Sequence, residues 1–308
     1  MTTSGSPSPD LSQFTGYLLR RAFVKATGAA KACMPDAHVR QVALMTILAE
    51  HGAVSQSKVT DLTGVNRSLM VKIVDELEKE GWVARERNPR DRRSYALRLT
   101  AEGSRWLQAL HHELDRAESE LTHALTPADV HQLKGLLRSL LADDSALSVQ
   151  SLAERSGYLI ANAHRLLRGW ALTGLSHLAL HPREFGVLTT LAQEQPCSQS
   201  HLAAMLGVSP PAMLGFVDSL EARGLVSRVR NSLDRRAYDV TLTPAGRSSL
   251  EAAQRAAAHV QSTVVTRLGK DGDVELRRLL RKLSDSDLAS PRQPPSMTVA
   301  GAPAADRR

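Results

Sequence analysis

The chain has 308 residues, of which 42% are hydrophobic and 23% are charged, and its formal net charge is +7. This length suffices for two domains of ordinary size, and the composition is typical of a soluble globular protein. No apolar run reaches the roughly 18 residues of a membrane-spanning helix, and the N-terminus lacks the basic and apolar regions of a signal peptide. These features argue against a membrane protein or a secreted protein. The chain has two cysteines, which predict no disulfide framework and fit a reducing cytoplasm. The basic balance is compatible with a polyanionic partner.

The first half of the chain is predicted to contain six helices and two strands. Helical spacing of apolar residues, together with proline, glycine and N-cap positions, sets their bounds. In chain order we expect helices over 11–32, 39–51, 55–63 and 66–81, strands over 82–87 and 94–100, and helices over 100–125 and 126–140. The order α-α-α-α-β-β-α-α, with a glycine turn before the fourth helix and a charged hairpin after it, is typical of a winged helix-turn-helix domain.

The second half of the chain repeats the first. The stretch "DRRSYALRLTAEG" at 91–103 returns as "DRRAYDVTLTPAG" at 234–246, 143 residues later, and "GYLLRRA" at 16 returns as "GYLIANA" at 157. A repeat of this length is a duplicated domain and not a solenoid unit. We expect copy 1 at 11–143, a linker at 144–150 and copy 2 at 151–286, with flexible tails at 1–10 and 287–308.

Both copies resemble MarR-type transcription regulators. The resemblance rests on the Asp-x-Arg…Leu-Thr…Gly pattern in the two stretches above and on "VDELEKEGWVARER" and "VDSLEARGLVSRVR" before them. It implies a mainly α-helical protein in which two winged helix-turn-helix domains are joined through a helical dimer-like region with pseudo-two-fold symmetry. Ordinary members of this family are homodimers. The fused copies therefore imply a single-chain pseudo-dimer that acts as a monomer, with a homodimer of the whole chain as the alternative.

A winged helix contacts double-stranded DNA with its second motif helix in the major groove and its wing along the backbone. By the resemblance, Arg93 enters the minor groove and Asp91 orients it through a salt bridge. Arg85, Arg87 and Arg90 are expected to contact phosphates. The candidate residues share hydrogen-bonding or charged side chains on the fourth helix or on the wing and its strands. They are Asn66, Arg67, Ser68, Lys72, Arg85, Arg87, Arg90, Asp91, Arg92 and Arg93 in copy 1, and Ser209, Arg228, Arg230, Asp234, Arg235 and Arg236 in copy 2. The alternative is an ordinary solvated basic face.

The two copies differ at the fourth helix. Pro210 replaces Arg67, and Gly215 replaces Lys72. Between 66 and 98 there are nine lysines and arginines against six acids, and between 209 and 241 there are five against four. We therefore expect copy 1 to be the stronger reading head.

A small aromatic or drug-like effector is a further partner that the resemblance implies, bound between the winged helix and the helical dimer region. The candidate residues are aromatic or imidazole side chains on the helices that would surround such a pocket. They are Tyr17, His38, Trp106, Trp170, His177 and His181. Ordinary core packing is the alternative for each of them.

No cofactor and no metal site are expected. His111 and His112 are adjacent and point about 100° apart on a helix, and Cys33 and Cys197 lie away from the start of the first helix, where this family places its reactive thiol. No catalytic motif supports an enzyme. The sequence thus predicts a sequence-specific DNA-binding regulator, acting as a repressor that a ligand releases. The alternative, suggested by Pro210-Pro211, is a ligand- or protein-binding module of the same fold that has lost sequence-specific DNA binding.

Overall fold

A computed structural model of the chain describes residues 11–35, 37–88, 91–144, 147, 149–231 and 238–285, with the side chains of 88, 91–94 and 285 outside this description. Over these residues each copy has the predicted order of helices and strands, and the mainly helical fold class is confirmed. Copy 1 comprises α1 (Thr15–Cys33), α2 (Val39–His51), β1 (Val54–Ser55), α3 (Gln56–Thr63), α4 (Arg67–Lys79), β2 (Val83–Asn88), β3 (Asp91–Leu99), α5 (Ala101–Ala109), α6 (His111–Thr122) and α7 (Pro127–Leu140). Copy 2 comprises α8 (Gln150–Ala153), α9 (Ser156–Leu175), α10 (Pro182–Gln193), β4 (Cys197–Ser198), α11 (Gln199–Leu206), α12 (Pro210–Ala222), β5 (Val226–Arg230), β6 (Tyr238–Leu242) and α13 (Pro244–Asp285).

Two features differ from the sequence-based expectation. Each wing contains a third, two-residue strand, β1 or β4, which pairs antiparallel with the last strand of its copy. The helix predicted from Thr100 to about Leu125 is divided at Leu110 into α5 and α6. In copy 2 the corresponding segment, α13, consists of two helices that meet at a kink at Gly269, where φ is 72° and ψ is 166°. Two-residue strands and single-residue helix breaks leave too short a pattern to read from sequence.

The helix-turn-helix of copy 1 is built by local capping. The Ser55 hydroxyl caps α3 by accepting a hydrogen bond from the Lys58 amide, and Gly64 ends α3 in the left-handed region at φ 63°. Asn66 then caps α4 by accepting from the Leu69 amide at 2.8 Å. The apolar face of α4 is buried through Met70, Ile73, Val74 and Leu77. This burial leaves the opposite face of α4 toward solvent.

Three hydrophobic cores hold the molecule together. One lies in the winged helix of each copy, and the third lies between them, where leucines of α1, α6, α7, α9 and α13 pack together. The copies also exchange short N-terminal segments. Leu11 of copy 1 lies in the winged-helix core of copy 2, whereas Val149 and Leu152 lie in that of copy 1. Val149, inside the segment expected to be a linker, is fully buried.

Over the described residues, no single helix is long and apolar enough to cross a membrane. Among the described residues, one bent pair of helices, α11 and α12, has the combined length and composition that such a span needs.

Candidate nucleic-acid interface and interdomain cleft

The N-terminal part of α4 presents four of the predicted DNA-contacting residues to solvent. Asn66, Arg67, Ser68 and Lys72 are all exposed and lie opposite the buried stripe of α4. The side-chain oxygen of Asn66 caps the helix, which leaves its amide group to donate. The structure thus brings donor groups of several kinds together at the end of the helix that enters a groove in this type of domain.

Two of the predicted DNA-contacting arginines, Arg85 and Arg228, lie in ion pairs inside their own copies. Arg85 on β2 contacts Asp75, at 2.5 Å, and Glu78 of α4. Arg228 on β5 makes the same pair of contacts with Asp218, at 2.5 Å, and Glu221 of α12. These arginines fasten the first wing strand to the motif helix, and a phosphate would have to compete with two carboxylates. Phosphate contact by them stays a prediction.

Arg87 lies two residues after Arg85 on β2, and Arg230 lies two residues after Arg228 on β5. Both are exposed, and they pair with Tyr95 and Tyr238 of the neighbouring strands. The other predicted wing residues lie outside the described side chains. They are Arg90, Asp91, Arg92 and Arg93 in copy 1 and Asp234, Arg235 and Arg236 in copy 2.

The equivalent face of α12 in copy 2 is apolar. Ser209 begins this helix without a side-chain capping hydrogen bond, and Pro210 and Pro211 follow it on the surface. Leu214 is 48% exposed in the middle of the face, and Gly215 lies beside it. This surface offers methylene and methyl groups where copy 1 offers a guanidinium and an ammonium group.

A cleft of about 1030 Å³ lies between the two winged helices and helices α1 and α9. Three of the predicted effector residues, Tyr17, His38 and His181, line it. Their prediction came from the position of the helices that carry them, and the tertiary structure places those helices around a single space.

The other three predicted effector residues do not line the cleft. Trp106 stacks on Trp82 inside copy 1, with ring centroids 4.1 Å apart. Trp170 packs under the guanidinium of Arg267, 5.2 Å from the ring centroid. His177 lies in a 3-10 turn after α9 and is exposed. These three residues therefore do not line this cleft, and their role in binding an effector stays a prediction.

The cleft contains basic residues that sequence reasoning missed. Arg20 on α1, His164 and Arg168 on α9, and Arg183 on α10 all line it. Burial, with the charges of the three arginines, lowers the pKa of His164 to about 4. Burial also lowers the pKa of Arg20, and the neighbouring Arg183 adds to this effect. An alignment of the two copies could have identified these residues. Only copy 1 has an arginine at the position of Arg20, and only copy 2 has one at the position of Arg168.

Among the described residues, no group of three or more histidine, cysteine and acidic side chains could hold a metal ion. Cys197 is buried, and this burial raises the pKa of its thiol. A thiol with a raised pKa is a poor nucleophile at neutral pH.

Several known proteins and one family model are similar to parts of this chain. The model of the MarR family matches residues 39–95 and 180–238, which places one match in each copy. A putative transcriptional regulatory protein for the hcr operon of Thauera aromatica is 32% identical over 102 residues, covering 33% of this chain and 61% of that protein. The transcriptional repressor MprA of Escherichia coli is 31% identical over 102 residues, covering 33% of this chain and 58% of that protein.

The matches to these two curated relatives thus span about three fifths of their length. Among solved structures, the transcriptional repressor CouR bound to a 23-mer DNA duplex is 30% identical, with a TM-score of 0.42, and the match covers 44% of this chain and 96% of that chain. Two matches in register with the internal repeat account for both winged helices. The chain belongs to the MarR family and carries the family's winged helix-turn-helix domain twice.

Proposed function

We propose that the chain is a cytoplasmic, sequence-specific regulator of transcription that binds double-stranded DNA and acts as a repressor that a small ligand releases. One observation carries this proposal: the exposed polar end of α4, with Arg67, Ser68 and Lys72, lies on a MarR-type winged helix. The names of the similar proteins, a repressor and a regulatory protein, support the same class.

We further propose that one chain supplies both reading heads, so that it acts as a monomeric pseudo-dimer. The central core between the copies supports this proposal, because helices of both copies contribute fully buried leucines such as Leu18 and Leu159. The exchange of Leu11 and Leu152 between the winged-helix cores supports it as well. Burying each of these four leucines stabilises the packing of the two copies against each other by about 1.5–3 kcal/mol. We also keep as proposals the domain boundaries 11–143 and 151–286.

The two heads are proposed to differ in strength. In copy 1 the groove would meet Arg67 and Lys72, which can bond to guanine or phosphate. In copy 2 it would meet Pro210 and Gly215, which carry no side-chain donor. The wing residues Asp91 and Arg93 are proposed, from the resemblance alone, as an oriented arginine for the minor groove.

The second candidate function is a binding module of the same fold without sequence-specific DNA recognition. Exposed apolar side chains of copy 2 favour it, because Leu214 on α12 and Met205 on α11 are 48% and 39% exposed. An apolar face of this kind suits a protein partner better than a phosphate backbone. The test below separates the two functions.

The first prediction concerns base discrimination. The intact chain is first used to select duplexes that it binds from a randomised library. Each base of the selected site is then substituted in turn, and the affinity for each substituted duplex is measured by fluorescence anisotropy at fixed salt. We expect large penalties, about 1–3 kcal/mol per contacted base, in one half-site only. Arg67→Ala should remove the penalties in that half, because it deletes the side chain best placed for a bidentate base contact.

The control for this prediction is Arg116→Ala, which removes the same charge from an exposed position on α6. It should leave the pattern of penalties unchanged. Equal, mirror-related penalties in both halves would contradict the asymmetry of the heads. A failure to enrich any sequence from the library would instead favour the binding module.

A further inference from the structure

One arginine of copy 1 holds the turn of the helix-turn-helix in copy 2. Arg20, on α1, donates hydrogen bonds to the carbonyl oxygens of Leu206, at 2.6 Å, and Gly207, at 3.2 Å. Leu206 is the last residue of α11, and Gly207 follows it in the left-handed region at φ 55°. Carbonyl groups at the C-terminus of a helix lack partners within the helix and carry partial negative charge, so a guanidinium group suits them. Arg20 thus caps α11 from the other copy.

The turn that Arg20 holds leads directly into the second helix of the motif. This helix, α12, begins at Pro210, three residues after Gly207. A displacement of the turn therefore displaces the N-terminal end of α12, which is the end that reaches the groove in a winged helix. Arg20 itself lies on α1, which belongs to the central core through the fully buried Leu18. The contact thus joins the start of α12 to the core that both copies share.

An arginine of copy 2 lies against the equivalent turn of copy 1. A Cβ atom added to Gly64 would lie 2.9 Å from Cδ and Nε of Arg165 and 3.0 Å from its Cζ, so this guanidinium group, on α9, covers the turn. Gly64 ends α3 two residues before Asn66, the N-cap of α4. The Nη2 group of Arg165 donates to Asp144 at 2.7 Å and to the side-chain oxygen of Asn162 at 3.3 Å. These two bonds hold the guanidinium group in place over Gly64.

The two arginines do not occupy equivalent positions of the repeat. Ala161 corresponds to Arg20, and Val24 corresponds to Arg165. Positions 20 and 24 lie one helical turn apart on one face of the first helix. Alanine and valine have no side-chain donor, so each copy supplies a single arginine, and it supplies it to the turn of the other copy. Both turns are therefore covered from the opposite copy, although the residues that do so differ.

We propose that Arg20 and Arg165 are positioning residues for DNA recognition, which hold the turns of the opposite copies on the central helices and thereby fix the separation of α4 and α12. The proposal rests on the proposed function for its consequence on DNA binding. It adds two residues that line the cleft between the copies and set how well both heads fit one duplex. Without them, each winged helix keeps its own core but is held less firmly on the central helices.

The first measurement is the distance between α4 and α12 in the absence of DNA. Spin labels are attached at Lys79→Cys and Ala222→Cys, which are the exposed last residues of these two helices and correspond to each other in the repeat. The native cysteines are removed by Cys33→Ser and Cys197→Ala. Pulsed electron paramagnetic resonance of the full chain then gives the distribution of distances between the labels. This labelled chain is the reference for the variants.

Arg20→Met and Arg165→Met should each broaden this distribution about twofold, because methionine keeps an unbranched side chain but has no donor. The matched control is Arg168→Met. Arg168 is exposed, lines the same cleft, and makes no hydrogen bond to either turn in the part of the chain that the structure describes. Unchanged distributions in both test variants, or equal broadening in the control, would overturn the proposal. Broadening in only one test variant would overturn the role of the other arginine.

Arg165→Lys is a second variant at this position, because methionine there takes an ion-pair partner from Asp144, whose side chain is 11% exposed. Lysine keeps a positive charge beside Asp144 but lacks the planar group that covers Gly64. We therefore expect Arg165→Lys to broaden the distribution as well. A distribution as narrow as that of the reference chain would show that charge alone suffices, and would overturn the positioning role of this guanidinium group.

The second measurement is DNA binding by the same variants without labels. With the duplex selected in the first prediction, Arg20→Met should weaken binding about 3–10-fold, because a smaller fraction of the molecules holds both heads in the competent arrangement. The dependence of affinity on salt concentration should stay unchanged, since no phosphate contact is lost. A salt slope lowered by about 1 would show that Arg20 contacts a phosphate, and would overturn its role as a positioning residue.

The two measurements separate this proposal from the proposed function. A chain that enriches no DNA sequence, but whose distance distribution broadens in both variants, supports the positioning of the heads and contradicts the regulator. A chain that binds DNA, but whose distribution stays narrow in both variants, leaves the regulator intact and contradicts the positioning role.

Discussion

His164 stacks on Phe23 of the opposite copy, with ring centroids 4.9 Å apart and an interplanar angle of 23°. The pKa of this histidine falls from an ordinary 6.5 to about 4, because of burial first and the charges of Arg168, Arg20 and Arg183 second. The imidazole is therefore neutral at pH 7 and functions in the folded protein as an aromatic ring. The equivalent residue of copy 1 is Phe23 itself, so each copy contributes one flat ring to this stack.

The second prediction follows from this pKa. The folded state binds a proton at His164 less readily than the unfolded state, so His164 contributes stability above pH 6.5, and that stability is lost as the pH falls toward 4. From pH 7 to pH 5 we expect a loss of about 1–2 kcal/mol from this residue. His164→Phe, which keeps the stack, should lose correspondingly less over the same interval.

Urea denaturation at pH 7 and pH 5 measures this difference. His112→Ala, a substitution at an exposed position, is the control for removing one histidine from the chain. Parallel losses in the wild type and in His164→Phe would mean that His164 is protonated as easily in the folded protein as in the unfolded chain.

At the scale of elements, the repeated Leu-Thr…Gly motif fixes how the last wing strand joins the following helix. The Thr100 hydroxyl donates to the Gly81 carbonyl at 2.7 Å and accepts from the Gly103 amide at 3.0 Å. Thr243 makes the equivalent bonds to Gly224, at 2.6 Å, and Gly246, at 3.0 Å. One threonine thus caps its helix and ties it to the turn that ends α4 or α12.

The third prediction concerns the glycines of this motif. A Cβ atom on Gly103 would lie 2.2 Å from the Trp82 carbonyl oxygen, and one on Gly246 would lie 1.9 Å from that of Leu225. Because the obstacle is backbone, Gly103→Ala and Gly246→Ala should each destabilise the fold by about 1–3 kcal/mol. Denaturant unfolding is the measurement.

Gly135→Ala is the matched control for these two substitutions. Gly135 lies within α7, and nothing lies within 4 Å of the Cβ atom that alanine would add. This change should stabilise the protein by about 0.5–1 kcal/mol. Destabilisation of the same size at all three positions would show that the carbonyl contacts are not the cause.

Sequence patterns predicted these elements well where they are long and periodic. The stripe Met70, Ile73, Val74 and Leu77 has helical spacing, and the structure buries it in α4. The same patterns could not predict the break at Leu110 or the exclusion of Trp106 from the cleft. Both depend on which partner a helix face meets, and neither changes the spacing of apolar residues along the chain.

At the scale of the whole molecule, ion pairs join the last helices of the two copies. Asp129 of α7 contacts Arg278 at 2.8 Å and Lys282 at 2.6 Å, both on α13. Hydrogen bonds from Lys282 and Arg278 hold the pKa of Asp129 well below its ordinary value. These contacts and the central leucine core lie within one chain. Under the proposed pseudo-dimer, we therefore expect the pairing of the copies to be independent of protein concentration.

The fourth prediction is therefore that the mass of the protein in solution does not change with protein concentration. Light scattering coupled to gel filtration should give a species near 33.4 kDa at micromolar concentration and on tenfold dilution. A stable species of twice this mass would contradict the monomeric pseudo-dimer and favour a four-headed assembly. Asp129→Ala, which breaks the ion pairs but not the core, should lower the unfolding temperature without changing the mass.

The sequence by itself determined that this chain contains two winged helices of one family, because repeats, caps and apolar spacing act over short stretches and can be read without a partner. It also showed that the exposed faces of α4 and α12 differ, since surface residues are simply those outside the buried stripe. Only the tertiary structure decided that Arg85 pairs with Asp75 and Glu78. It alone also brought the charges of Arg20, Arg168 and Arg183 near His164. Those groups come from separate helices and strands, and packing alone brings them within reach of one another.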